Sequence, residues 1–193
     1  MEIRPLTIDG AWLVTPRHHG DDPGLFLEWY QAETFAAAVG RPFPLAQSNI
    51  SISGRGVVRG IHLVDLPPGQ DKYITCVSGA VLDVVVDLRL GSPTFGRWEA
   101  VRLDDANRHA VHLDAGLGHA FCALTEPATV VYLCSSPYDP AAERTVNPMD
   151  PDLAIDWPEG PLRMSPRDAG APSVAQARQA GVLPAYVPRH PGR

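Results

Sequence analysis

The sequence predicts a mainly β protein, a sandwich or jelly-roll barrel with a few short helices, and three observations carry that expectation. Twenty prolines and seventeen glycines cut the 193 residues into short pieces. Most of the pieces between 44 and 135 are rich in valine, leucine or isoleucine. Their lengths are those of strands, and turn residues separate them at short intervals. Strands are expected over 44–52, 57–64, 72–79, 80–88, 96–103, 109–114, 118–124 and 128–135, enough for a two-sheet roll.

Taken in chain order, the first convincing element is a helix over 31–39, alanine-rich and stopped by Gly40 and Pro42. Glycine there ends the helix in a left-handed turn, and proline cannot continue it. In the strand Leu82-Asp-Val-Val-Val-Asp-Leu88 a period of two separates the faces. Leu82, Val84, Val86 and Leu88 form an apolar packing face, while Asp83, Val85 and Asp87 form a mixed face suited to a polar cavity. Asp87, next to Leu88-Arg89, is expected in strand-end solvation or a salt bridge. Tyr132 shares a strand face with Val130 and Cys134. A second helix is expected over 174–180, closed by Gly181.

Composition narrows the function. A chain of this length accommodates one domain with a substantial core; it is read as 1–193, with an N-terminal arm over about 1–30 and a helical tail over about 170–193. Apolar residues make up 45% and charged residues 20%, and no run of about 18 apolar residues is present to span a bilayer. Met1-Glu2-Ile3-Arg4-Pro5 lacks the character of a secretory leader, so a cytoplasmic protein is expected. The net charge of -6 without a basic cluster argues against a nucleic-acid surface. Cys76, Cys122 and Cys134 lie in apolar surroundings without metal-type spacing and are read as buried thiols.

The densest chemistry lies in Arg55-Gly-Val-Val-Arg-Gly-Ile-His62 with Lys72 after it. A histidine can remove a proton beside a ketone only if positioned donors stabilise the enolate oxygen, and Arg59 and Lys72 are candidates for that work. Alternation puts Arg59 and His62 on opposite faces, so both can meet one ligand only at a strand end or through a kink at Gly60. Seven histidines invite a metal, but Val64 stands where a second ligand on the face of His62 belongs. No metal and no cofactor are expected. His119 is placed at a cavity mouth with Asp83 orienting it or, taken alone, in the core as a hydrogen-bonded histidine; His112 is ambiguous; His18, His19, His109 and His190 are expected in solvent. Tyr132 and the loop residue Tyr138 each have a plain packing explanation, and either can serve as an acid facing His62.

These segments, together with Pro67-Pro-Gly-Gln-Asp-Lys72, Gly91-Ser-Pro-Thr-Phe-Gly96, Gly116-Leu-Gly-His-Ala-Phe121, Tyr138-Asp-Pro140 and Asp156-Trp-Pro158, resemble the dTDP-4-dehydrorhamnose 3,5-epimerase family from about residue 3 to 168. The resemblance implies a metal-free cupin-type jelly-roll barrel, a homodimer, acting on a dTDP-linked 4-keto-6-deoxy sugar. It implies His62 as base, Asp168 as its orienting partner, Tyr132 as the opposing acid and Lys72 as the cation beside the enolate, with His119 near it and paired to Asp83. It further implies that Gln47, Asn49, Arg59, Tyr138, Glu143 and Arg167 hold the nucleotide sugar, and that Phe26 and Glu28 belong to an arm reaching the partner's site.

The chain departs from the family pattern at three places. Gly20-Asp-Asp-Pro23-Gly24 replaces a run that usually carries an arginine toward the nucleotide, and Asn49-Ile-Ser51 and Leu133 replace the more usual histidine and lysine. These departures resemble the antibiotic deoxysugar subset, some of whose members invert C3 alone. C3 inversion is therefore the expectation, with inversion at both C3 and C5 as the alternative. A metal-dependent cupin enzyme and a non-catalytic nucleotide-sugar-binding protein remain as further alternatives, since one fold hosts many functions.

Overall fold

A computed structural model describes residues 1–21 and 24–188. In chain order the strands are β1 (Glu2–Pro5), β2 (Ala11–Thr15), β3 (His18–Asp21), β4 (Gly24–Leu27), β5 (Gln47–Ser53), β6 (Val58–Val64), β7 (Lys72–Ser78), β8 (Ala80–Val86), β9 (Trp98–Asp104), β10 (Ala110–Leu113), β11 (Gly118–Ala123), β12 (Ala128–Cys134) and β13 (Glu143–Thr145). The helices are α1 (Ala32–Val39), α2 (Pro166–Ala169) and α3 (Val174–Gln179). One sheet runs β1-β2-β10-β7-β12-β5 and the other β13-β6-β11-β8-β9, with β3 and β4 as a separate hairpin. All pairings between named strands are antiparallel. The fold is the cupin-like jelly roll.

Apolar residues on both faces of the central strands explain the layering. Between the sheets Leu13, Ile74, Val111 and Val130 of the six-stranded sheet meet Val81, Val85, Leu103 and Phe121 of the five-stranded one. Outside the five-stranded sheet, Val84, Val86 and Leu88 pack against Val146, Leu153, Val174 and Leu183. Outside the other, Tyr73 and Leu133 pack against Phe35, Val39 and Phe43 around α1. Strands covered on both faces lose the apolar-polar alternation of a half-exposed sheet, which is why Val84-Val85-Val86 reads as a continuous apolar run.

All eight expected strands are present, most of them shorter at an end than expected. The helix expected over 31–39 begins one residue later, because the Gln31 side chain caps it by accepting from the Thr34 N–H at 2.5 Å. Gly40 closes it at φ 85°. The arm expected over about 1–30 divides in two. Residues 2–5 and 11–15 are sheet strands, tied by β2 to β10, whereas the β3–β4 hairpin lies outside both sheets. In the tail, α3 starts with a Ser173–Gln176 capping box, and residues 189–193, with His190, lie outside the described residues, as does Pro23.

One expectation about β8 needs correcting. The face carrying Asp83 and Val85 turns into the inter-sheet core, not onto a cavity wall, and Asp83 is kept there by His119. Asp87, just past the strand, takes two hydrogen bonds from the Arg89 guanidinium, at 2.9 and 2.8 Å, and others from Ser92 and Thr94. Burial alone would raise its pKa; these bonds outweigh burial and lower it.

Candidate active site

A one-residue irregularity in β6 sets the geometry. Antiparallel pairing places His119 opposite His62 and Phe121 opposite Arg59, so residues 119–121 of β11 span residues 59–62 of β6, one more than regular pairing allows. The extra residue is a β-bulge. Since His119 and Phe121 share a face, so do His62 and Arg59, and of the two routes open from sequence, a strand end or a kink at Gly60, the kink is the one present. Only glycine fits there: φ is 116°, and a Cβ would lie 2.5 Å from the His119 carbonyl oxygen.

His62 thus projects into a cavity of about 400 Å³ at one end of the inter-sheet core. Gln47, Asn49, Lys72, Tyr132 and Cys134 line it from β5, β7 and β12 of one sheet; His62 and Glu143 line it from β6 and β13 of the other. Gln70, Tyr138 and Arg167 complete the wall. The six-stranded sheet presents its residues in rungs: Gln47, Cys134 and Lys72 form one, and Asn49, Tyr132 and Ile74 the next.

His62 Nε2 lies 2.7 Å from Asp168 Oδ1. Asp168 is buried on the short helix α2, where Ser165 Oγ accepts its backbone N–H at 3.1 Å. Burial would raise the Asp168 pKa, but hydrogen bonds and charge from His62, with further bonds from Ser165 and the Gly60 N–H, outweigh it and lower it. The carboxylate therefore stays ionised and accepts from Nε2–H, leaving Nδ1 as the basic nitrogen of His62.

Lys72 is only 7% exposed, and its ammonium has no hydrogen bond or ion pair among the described residues. Burial lowers its pKa, against the opposing charges of the Glu143 and Asp83 carboxylates. Burial also raises the Tyr132 pKa, so the phenol keeps its proton at neutral pH; nearby Arg59 opposes that rise. Arg167 Nε donates to Thr145 Oγ1 at 3.0 Å and its NH2 lies 3.6 Å from Glu143. Gln47 accepts the Tyr138 backbone N–H at 2.8 Å, which ties the loop tyrosine to the rim.

Of the residues singled out from sequence, His62, Lys72, Tyr132, Gln47, Asn49, Tyr138, Glu143 and Arg167 meet in this cavity, with Asp168 bonded to one of them. The others are elsewhere. Arg59 is exposed beyond the rim, its Nε donating to Ser53 Oγ at 2.9 Å, and Phe26 and Glu28 are exposed on and just after β4. His119 is not at the cavity mouth. It stands beside His62 on the next strand, its ring near Phe121 and its Nε2 2.7 Å from Asp83 Oδ2. His112 is a core residue among Trp12, Phe35 and Phe43, and His109 is half-buried. Gln70 and Cys134 line the cavity without having been singled out for it; the shared parity of Cys134 and Tyr132 was the signal available. Among the described residues one group, Asp71, His112 and Asp114, has donor atoms close enough to share a cation. The Arg41 guanidinium already bridges the two carboxylates at 2.5 and 2.7 Å.

Residues 5–176 match the family model described as dTDP-4-dehydrorhamnose 3,5-epimerase. The chain belongs to this family. A dTDP-4-dehydrorhamnose 3-epimerase of Streptomyces niveus is 60% identical over 97% of this chain and 90% of its own. A 3,5-epimerase of Mycolicibacterium smegmatis is 54% identical over 97% and 92%. Among solved structures, NovW, a 4-keto-6-deoxy sugar epimerase from the novobiocin cluster of Streptomyces spheroides, superposes with a TM-score of 0.95 at 60% identity, covering 96% of this chain and 94% of that one. ChmJ, a 3'-monoepimerase from Streptomyces bikiniensis in complex with dTDP-quinovose, gives 0.92 at 55% identity, with 94% and 92% covered. The protein is accordingly an isomerase, an epimerase in its chemistry. No helix among the described residues is long and apolar enough to cross a membrane.

Proposed function

We propose that this epimerase inverts C3 of a dTDP-linked 4-keto-6-deoxyglucose by a two-faced proton exchange between the sheets. The observation that carries the reading is the placement of His62 and Tyr132 on opposite sheets of one cavity, with Lys72, whose ammonium is unbonded among the described residues, lining the same cavity from β7 beside Tyr132's strand. His62 Nδ1 removes the hydrogen from C3, and the electron pair moves through C4 onto the ketone oxygen. The Lys72 ammonium donates to that enolate oxygen, where charge develops in the transition state. Tyr132 then gives its proton to the opposite face of C3 as the ketone reforms. Imidazolium and phenolate return to their starting states by exchange with water. Asp168 holds the His62 ring and stabilises its cation.

Gln47, Asn49, Tyr138, Glu143 and Arg167 hold the nucleotide sugar, with Arg59 contributing charge from beyond the rim. The epimerase works as a homodimer. Support for that comes from apolar surface in two places: Ile50 and Ile52 on the edge strand β5 are 69% and 65% exposed, and Phe26 on the isolated hairpin is 67% exposed. In the dimer Phe26 and Glu28 reach the site of the other subunit. Solvent-facing apolar patches of this kind mark interfaces.

Inversion at C3 alone is favoured by the Streptomyces relatives named for a 3-epimerase, at 60% and 55% identity. The alternative is inversion at both C3 and C5, with C5 presented to the same base, as in the relatives named 3,5-epimerases. Incubating dTDP-4-keto-6-deoxyglucose with the protein in deuterated water separates the two by NMR. Deuterium at C3 with inversion there alone is expected. Label and inversion at both carbons establishes the double epimerase, and no label at either refutes enolisation.

A further inference from the structure

Cys134 has a place in the site that the proton exchange itself does not use. It stands in one rung between Gln47 on β5 and Lys72 on β7. Its Sγ accepts from Asn49 Nδ2 at 3.6 Å, Asn49 Oδ1 accepts from Gln47 Nε2 at 2.8 Å, and Gln47 Oε1 accepts the Tyr138 N–H. A continuous set of directed contacts thus runs from the 135–140 loop to the thiol, and the thiol adjoins Lys72.

A buried ammonium normally finds an oxygen acceptor. Among the described residues Lys72 has none; its cross-strand neighbours are Leu113 on β10 and Cys134 on β12, whose sulfur accepts weakly. We propose that Cys134 is a positioning residue: its thiol fixes where Lys72 stands against Gln47 and Asn49 without holding the ammonium in a strong hydrogen bond, so that its protons stay free for the substrate's carbonyl oxygen. An oxygen at this position would accept from the ammonium in a charge-assisted bond and compete with substrate. A thiol fills the position without that competition, because its sulfur accepts only weakly. Burial raises the Cys134 pKa, against the opposing pull of Lys72 and the Asn49 hydrogen bond, so the group is a neutral thiol and not a counter-ion.

The inference rests on the enolising function proposed above and assigns it one more residue. Its test compares Cys134→Ser and Cys134→Ala with the wild type in two measurements. The first is titration of Lys72 Nζ in protein labelled with ¹⁵N-lysine, without substrate. The second is C3 exchange of dTDP-4-keto-6-deoxyglucose across pH, resolved into kcat and KM. Cys134→Ser is expected to raise the Lys72 titration midpoint and to lower kcat roughly tenfold with KM within about twofold, the loss expected when one hydrogen bond must break before the ammonium reaches substrate. Cys134→Ala is expected to leave the midpoint at or below that of the wild type and to lose less of kcat. If neither cysteine variant folds, Asn49→Leu releases the thiol from its amide donor and is expected to shift the Lys72 resonance. Folded serine and alanine variants with an unmoved Lys72 titration overturn the proposal, whatever happens to kcat, because that pattern means structural damage alone. An unmoved Lys72 resonance in Asn49→Leu overturns it equally. A wild type that exchanges no hydrogen at C3 refutes the epimerase function instead, and leaves the Lys72 titration interpretable.

Discussion

Two histidine-carboxylate pairs stand side by side on neighbouring strands, and their contrast shows what makes one of them a base. His62–Asp168 and His119–Asp83 have the same 2.7 Å contact through Nε2, and the two rings are directly cross-strand from each other. Their surroundings differ. The His62 side chain is 30% exposed and faces the cavity with Tyr132 on the far wall, whereas that of His119 is 10% exposed, beside Phe121. A hydrogen-bonded imidazole is therefore not enough; access to substrate and an acid on the opposite side separate the reactive pair from the structural one. The supports differ as well. Asp83 is built into a central strand, but Asp168 arrives on a four-residue helix and is tied by the backbone N–H that the bulge at Gly60 presents to it.

The contrast breaks most sharply by exchanging its members. His62→Ala is expected to lower C3 exchange by about 10³-fold or more, the upper part of the range for a lost general base. His119→Ala is expected to lose roughly tenfold with a lowered melting temperature, since it removes a buried side chain and strands Asp83. Equal losses in an NMR exchange assay would erase the distinction.

Lys72 sharpens the comparison from the side of the enolate. Lys72→Met is expected to reduce kcat by about 10²-fold, as removal of an oxyanion donor does, and to melt at a higher temperature at neutral pH. The sign follows from burial. With its folded pKa lowered from 10.5, Lys72 binds fewer protons in the folded than in the unfolded chain between the two values. Stability contributed by this group therefore rises with pH across that window, and below it the buried ammonium is a cost. Urea titrations should show the rise in the wild type and its loss in the variant.

Smaller effects distinguish the two carboxylates. Asp168→Asn is expected to cost roughly 10²-fold in kcat, because the amide no longer enforces the His62 tautomer or its cation, while Asp83→Asn stays within about tenfold. Asp168 also leaves a signature in acid. Its folded pKa lies below the ordinary 3.8, so its stabilisation is present above 3.8 and fades as pH falls toward the lower folded value. The stability difference between wild type and Asp168→Asn should shrink over that window, measured by denaturant unfolding at stepped pH.

Sequence patterns reveal much of this arrangement where the cause is local. Alternation along 128–134 correctly placed Tyr132 with Val130 and Cys134, and the proximity of Gly60 to Arg59 and His62 exposed the need for a kink. Strands β1 and β2 were folded into the expected arm because Pro5 and Pro16 bound two very short segments whose sheet character comes from pairing with β10, a contact distant in sequence. The mixed face of β8 misled for a related reason: one aspartate can sit in a core when a histidine from the next strand meets it. Asp168 lies 106 residues from His62, and no local pattern joins them; only the family resemblance did. The role of Cys134 was hidden because an apolar neighbourhood conceals that a thiol shares its rung with an ammonium.

The central claim is that proton removal and proton return occur from opposite walls, and Tyr132→Phe with substrate in deuterated water tests it most directly. With His62 intact, deuterium should still enter C3 by return from the His62 face, so that label appears with retained configuration while inversion falls by at least tenfold relative to exchange. Inversion at the wild-type ratio to exchange would contradict the account, because an acid other than Tyr132 would then be serving the opposite face.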